Sequence, residues 1–207
     1  MLEEFDLKYK DNGYNLIAGC DEAGRGPLAG PVAIGVCIMP LEKDKIILGV
    51  NDSKKLTAKK REQLYDEIIK TAICYNIVLI DEKTIDEINI LNATKLGMAK
   101  AINELKQKPD IALIDAVKNL DIDVKQEGII KGDALSYNIA CASILAKVYR
   151  DRYMLKLDSE YPEYCFSKHK GYGTKLHIEM LKKYGPCKYH RKTFITHFIN
   201  DNESQSQ

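Results

Sequence analysis

Apolar residues fall along this chain in short blocks of strand length, separated by polar residues and turn formers. The first block, Leu16-Ile17-Ala18-Gly19-Cys20, runs straight into Asp21 and Glu22 and predicts a strand over about 15–21. Val32 to Met39, stopped by Pro40, predicts a second, and Ile46-Ile47-Leu48-Gly49-Val50 a third; short links between them suggest an antiparallel meander. Ile77-Val78-Leu79-Ile80-Asp81 and Ile111-Ala112-Leu113-Ile114-Asp115 repeat the apolar run that ends in aspartate, and Ile129-Ile130-Lys131 reads as a short edge strand. Helices are predicted from a Thr57 cap to about Ala72, from about Asn92 to Lys106, and from Ala134 to about Leu157 with Asp133 at the N-cap position. In the last of these Ala140, Ser143 and Ala146 are small among Ile139, Ile144 and Leu145, which allows close packing on a sheet. Strands alternating with helices predict the α/β class. Residues 1–14 read as a loosely attached polar lead-in with a turn at Asp11-Asn12-Gly13, and the tail from Asn200 reads as disordered.

At 207 residues, 45% hydrophobic and 29% charged, the chain can bury a sizeable core as one large domain. No apolar run approaches the roughly 20 residues that span a bilayer. The acidic start, Met1 to Asp6, is unlike a secretion signal, so no membrane contact and a cytoplasmic location are expected. Six cysteines without a Cys-x-x-Cys pair are expected to be free thiols rather than disulfides or a zinc site. A formal net charge of +1 means that affinity for nucleic acid must come from uneven charge. Lys54, Lys55, Lys59, Lys60 and Arg61 form one basic cluster, with counter-charges at Glu62, Asp66 and Glu67. From Ser167 to Lys192, beyond a change of character at Tyr161-Pro162, eight Lys or Arg residues face a single acid, Glu179. His169, His177, His190, Tyr172, Tyr184 and Tyr189 are interleaved there, and lysines for phosphate beside aromatic stacking faces make this the best nucleic-acid patch in the chain.

Asp21 and Glu22 precede a turn, Ala23-Gly24-Arg25-Gly26-Pro27, in which bare backbone can come close to a ligand. Neighbouring side chains on a regular strand point to opposite faces, so the two acids share a site only where the strand ends or bends. A cation flanked by exposed N–H groups suits a phosphate or a sugar hydroxyl. Acids at strand ends beside a basic surface are what metal-assisted phosphoryl transfer requires, with magnesium or manganese held by carboxylates and substrate oxygens. The pattern alone does not choose between Asp81 and Asp115 as a further ligand, and it leaves Asp133 open to a plain capping role. Adjacent acids are a poor start for glycoside hydrolysis, whose acid and base face each other across a sugar. An actin-like kinase would need two such domains.

Residues 21–32, Asp-Glu-Ala-Gly-Arg-Gly-Pro-Leu-Ala-Gly-Pro-Val, closely resemble the opening motif of the type 2 ribonucleases H, the bacterial ribonuclease HII branch in particular. The resemblance continues through Asp52-Ser53-Lys54-Lys55-Leu56, Ile85 to Ile90, Leu113-Ile114-Asp115, Lys131-Gly132-Asp133, Ala142 to Asp151, His169 to Lys175 and His190 to Phe194, in the family's order. It implies an RNase H-like mixed β-sheet flanked by helices, with a small helical C-terminal part. A single domain over 14–207 is expected, its catalytic core reaching about residue 160 and its basic substrate-binding part covering about 161–200. The resemblance further implies that Asp21, Glu22, Asp115 and Asp133 are catalytic and hold two divalent ions, Mn2+ or Mg2+. In that scheme the backbone of Gly24, Arg25 and Gly26 senses a ribose 2′-hydroxyl, Tyr172 stacks on a deoxyribose, and Lys54, Lys55, Lys175 and Arg191 follow the substrate backbone. The implied activity is endonucleolytic hydrolysis of RNA in RNA–DNA hybrids and 5′ to single ribonucleotides in duplex DNA, leaving 3′-hydroxyl and 5′-phosphate ends, in ribonucleotide removal and replication. A monomer is expected; a replication clamp as partner is neither required nor excluded. Gly173, Cys141 and Thr193 depart from the family's usual residues, and the stretch before Leu16 is too short for the extra domain of the ribonucleases HIII. A hybrid-binding protein without catalysis is the rival from another class, and the retained acids, which repel phosphate, argue against it. An integrase-like nuclease is the second rival, against which the Gly-Arg-Gly turn and Tyr172 speak.

Overall fold

Ile17–Ala23 (β1), Val32–Ile38 (β2), Cys74–Ile80 (β3), Ile111–Asp115 (β4) and Lys125–Ile129 (β5) form one mixed sheet in the order β3-β2-β1-β4-β5, in a computed structural model that describes residues 2–199. The helices are Leu2–Asp11 (α1), Ala58–Thr71 (α2), Glu82–Asn103 (α3), Tyr137–Glu160 (α4), Phe166–His169 (α5), Lys175–Tyr184 (α6) and Lys192–Ile199 (α7). β1, β2 and β3 pair antiparallel as a meander, while β4 joins β1 and β5 joins β4 in parallel. The α/β expectation and the mixed sheet flanked by helices both hold.

Alternation along β1 and β4 separates two cores. Ala18, Cys20, Ala112 and Ile114 face α3, whereas Ile17, Ile111 and Leu113 face α4. The close packing expected of α4 is real: a Cβ at Gly19 would lie 2.1 Å from the Asn138 carbonyl carbon, and one at Gly35 would lie 2.3 Å from the Ala142 carbonyl oxygen. Only bare backbone lets α4 sit this near the sheet.

Several elements differ from the sequence reading, each for a physical reason. Residues 46–50 form no strand, because both edges of β2 are already taken by β1 and β3; Leu48 is left exposed there. The edge strand is Lys125–Ile129 rather than 129–131: only its last residue is buried, so it carries no apolar run, and left-handed Lys131 (φ 56°) follows it. α3 begins ten residues earlier than expected, with Asp81 accepting from the Thr84 N–H at 2.8 Å, and bends at Asn89, whose side chain caps the second half by accepting from Leu91 and Asn92. Ser136, not Asp133, caps α4. The lead-in is not loose: Leu2, Phe5 and Tyr9 share a helical face of α1, and buried Asp6 accepts from the backbone and side-chain nitrogens of Asn138 at 2.8 and 2.9 Å. The turn at residues 12–13 is present, and all six cysteines are free. The expectation for the tail from Asn200 lies outside the described residues.

The C-terminal helices hold two small cores that include Leu28 and Ala29 of the β1–β2 loop. That loop is hydrogen-bonded along its length, Leu28 N–H to Gly171 O, Gly30 N–H to Tyr189 O and Arg191 N–H to Leu28 O. Asp86 of α3 caps α7 by accepting from the N–H groups of Lys192 and Thr193, and from the Thr193 hydroxyl.

The three histidines lie inside this part rather than on a nucleic-acid surface. His177 Nδ1 meets the Tyr172 carbonyl at 3.0 Å and its Nε2 meets His190 Nε2 at 3.1 Å, while the Cys187 N–H donates to His190 Nδ1 at 3.0 Å. A carbonyl at one end and an N–H at the other fix one neutral tautomer for each ring, with His190 donating to His177. His169 spans the Tyr164 carbonyl and the Gly171 N–H in the same way. Burial, and then the neighbouring histidine, pushes His177 and His190 down to about 4. The unfolded chain therefore binds protons before the folded one, and this contribution to stability is complete above about pH 6.5 and lost as pH falls toward 4. At pH 5 the loss is about 2 kcal/mol per histidine. Urea unfolding at pH 7.5 and pH 5 should show this drop, and His190→Gln should shrink it; the same pH dependence in both proteins would contradict the assignment.

Candidate active site

Parallel pairing brings the first two acids together. β1 and β4 are in register from Ile17 opposite Ile111 to Cys20 opposite Ile114, so Asp21 and Asp115 follow side by side on the α4 face at one sheet edge. Asp115 Oδ1 accepts from the Gly132 N–H at 2.7 Å, which draws in the short 3-10 turn Gly132–Ala134 and with it Asp133. Each of Asp21, Asp115 and Asp133 offers a carboxylate oxygen, and these three atoms lie within 4.8 Å of one another. Asp81 is spent on capping α3 and takes no part.

Glu22 takes a different place. β1 stays regular through Ala23, so Glu22 turns to the opposite face and lies outside the three-acid cluster, although it borders the same cleft. Its Oε1 lies 3.5 Å from Arg25 Nη1, and its Oε2 is buried without a hydrogen-bond partner among the described residues.

Burial, with the charges of Glu22 and Asp115 behind it, pushes Asp21 well above the usual carboxylate range. Asp133 is raised by its own burial and by Asp115, and Glu22 by burial, against a downward pull from Arg25. Lys54 stands 3.8 Å from Asp133 as a partial counter-charge. Desolvated carboxylates that face one another, with an orphaned oxygen beside them, are the donor set of a hard divalent cation; the residues fit magnesium or manganese.

A cleft beside this cluster, reached by Asp21, encloses about 450 Å³ and is bordered by Asp21, Glu22, Gly24-Arg25-Gly26, Lys54, Lys147 and Tyr172. Gly24 has a φ of +96°, and a Cβ there would lie 2.0 Å from Arg150 Nε, so both backbone shape and packing require glycine. Tyr172 is 42% exposed on the rim, with the Arg150 guanidinium 5.8 Å from its ring centre. Lys147, which the sequence reading did not single out, reaches the cleft from α4 and donates to Asp151 at 2.8 Å; the only sequence signal was its place on a helix otherwise buried against the sheet. Lys55 is exposed on the turn Ser53–Lys55, and Lys175, 3.8 Å from Glu179, stands in solvent on α6; neither borders the cleft.

Arg191 corrects the expectation of a substrate contact. It is fully buried, and its guanidinium donates to the carbonyls of Gly24, Arg25 and Gly30 beneath the turn. Arg150, also buried, does the same for Ala29, Pro31 and Lys170.

Residues 18–200 match the family model described as Ribonuclease HII. A ribonuclease HII from Caldicellulosiruptor bescii is 56% identical over 197 residues, 95% of each chain. The crystal structure of the ribonuclease H2 from Pyrococcus horikoshii superposes with a TM-score of 0.79 at 29% identity, covering 92% of this chain and all of that one. A PCNA:RNase HII complex from Archaeoglobus fulgidus contains a similar chain, with a TM-score of 0.73 at 28% identity over 87% of this chain and 94% of that one.

Removing one of the mutually repelling acids should stabilise the metal-free protein. Asp21→Asn is expected to raise Tm in chelator by about 2–8 °C, the equivalent of about 1–2 kcal/mol. Manganese at about 100 times its Kd should add about 2.7 kcal/mol to the wild type and far less to the variant. A wild-type melt indifferent to manganese would contradict the metal reading.

Proposed function

This chain belongs to the ribonuclease HII family and is a type 2 ribonuclease H, and from that premise we propose that its cleft cuts the RNA strand of RNA–DNA hybrids and the bond 5′ to a single ribonucleotide in duplex DNA, leaving 3′-hydroxyl and 5′-phosphate ends. One observation carries the reading: Asp21 belongs both to a three-carboxylate cluster and to the wall of a cleft that it shares with a turn of bare backbone and an exposed tyrosine. Asp21, Asp115 and Asp133 hold divalent metal, with the free oxygen of Glu22 beside them. Two bound Mn2+ or Mg2+ ions would lower the pKa of the attacking water and stabilise the leaving oxygen, so the chain needs no nucleophile of its own.

The protein's own groups bind and orient. The exposed N–H groups of Arg25 and Gly26 meet the ribose 2′-oxygen, a contact that duplex DNA lacks at that position. The Arg25 side chain and Lys54 temper the repulsion between the carboxylates and the scissile phosphate. Tyr172 stacks on the sugar of the neighbouring deoxynucleotide, and Lys55 and Lys175 lie along the strand outside the cleft. A purely binding protein would gain nothing from three converging acids, which weaken phosphate binding in the absence of metal.

An end-labelled DNA duplex with one ribonucleotide should be cut immediately 5′ to it with manganese or magnesium, and not with chelator; an all-DNA control should survive. Tight binding without any cut would favour the non-catalytic rival. Tyr172→Ala should weaken cleavage at the lone ribonucleotide by about 1–3 kcal/mol in kcat/KM. An equal loss in Lys175→Ala would reduce the tyrosine to one backbone contact among several.

A further inference from the structure

A glycine-flanked turn such as Gly24-Arg25-Gly26 has many conformations, and either its carbonyls or its N–H groups could be turned toward the cleft. What decides between them lies underneath it. Arg191 Nη2 donates to Gly24 O at 2.6 Å and to Gly30 O at 2.7 Å, Nη1 to Arg25 O at 2.8 Å, and Nε to Gly30 O at 3.0 Å. In a planar trans peptide the carbonyl and the following N–H point in opposite directions. Holding Gly24 O inward therefore turns the Arg25 N–H outward, and holding Arg25 O inward does the same for the Gly26 N–H. Neither N–H has an acceptor among the described residues, and both residues are exposed on the cleft. Two successive N–H groups turned away from Arg191 make a donor pair suited to an electron-rich oxygen, and a cation bonded to the carbonyls of both peptides polarises each N–H toward its ligand.

We propose that Arg191 is a specificity-determining positioning residue, which orients the N–H groups of Arg25 and Gly26 toward the ribose 2′-oxygen without touching the substrate. The proposal rests on the reading of that turn as the 2′-hydroxyl sensor and adds what sets its geometry. Arg191 has no exposed surface, so a direct phosphate contact is closed to it. Its planar fork is the feature that matters: a lysine would keep the charge, yet one ammonium on a flexible stem cannot hold the same three carbonyls in fixed directions. Arg150 grips Ala29, Pro31 and Lys170 and leaves the two decisive carbonyls to Arg191.

The experiment measures Kd in an Asp21→Asn background, expected to bind without cutting, for two duplexes that differ by one 2′-hydroxyl. The parent should prefer the ribonucleotide duplex. Adding Arg191→Lys should lower that preference about tenfold, the value of roughly two oriented hydrogen bonds, and leave the Kd for all-DNA duplex nearly unchanged. A merely structural arginine would instead weaken both duplexes alike. Thermal melting establishes that the variant is folded. Should Arg191→Lys fail to fold, an ester link made by placing glycolic acid at position 26 removes one N–H with Arg191 intact, and should lower the preference on its own. A parent without ribonucleotide preference would overturn the 2′-hydroxyl reading itself. A folded Arg191→Lys protein or an ester protein with full preference would overturn the role of Arg191.

Discussion

Everything at the functional edge depends on the parallel pairing of β1 with β4. Running in the same direction and in register, the two strands carry Asp21 and Asp115 side by side on the α4 face, just beyond their last paired residues, Cys20 and Ile114. Two like charges would move apart if they were carried on loops. Here each is fixed to a strand buried on both faces, and the Gly132 N–H bond to Asp115 adds the third acid from the turn that follows β5. Hydrophobic burial along the sheet is what holds the repelling groups in place, and a divalent cation returns that cost as affinity.

The turn side of the cleft is held by a different device. The loop between β1 and β2 has little side-chain mass near its turn, so its shape comes from what grips its backbone: two buried guanidiniums, the β-bridge of Ala29 with His190, and the paired N–H and carbonyl groups of residues 28, 30 and 171. The histidine chain extends this support to Tyr172, whose carbonyl accepts a hydrogen bond from His177 Nδ1–H. Neutral, singly tautomeric rings make a rigid floor that a protonated pair would break. Asp21 and the glycine turn thus belong to one strand and its loop, but are held in place by different partners.

Much of this was legible in the sequence because the signals were local. The runs ending at Asp21 and Asp115, the Thr57 cap and the small-residue face of α4 each state their structure within a few residues. The paired acids and the glycine turn pointed to the right edge, and family resemblance selected Asp115 over Asp81 where the bare pattern could not. What the sequence hid was long-range. Asp6 reads as a surface acid until Asn138 is beside it, Asp86 caps a helix more than a hundred residues away, and the polar edge strand β5 has no apolar run to announce it. Arg191 and the histidines were misplaced for the same reason: in a segment with eight positive charges, nothing local shows which side chains turn inward. Glu22 stood apart from the cluster because β1 remains a regular strand past it.

The central claim is that the strand-end carboxylates form a metal site by convergence, and direct ion binding tests it most plainly. Manganese titrated into the protein with a ribonucleotide-containing duplex, followed by the loss of the free-ion paramagnetic resonance signal, should show saturable binding of two ions per chain. Asp115→Asn should abolish at least one of them, while Asp81→Asn should leave both. Saturable binding that ignores Asp115, or none at all, would contradict the account.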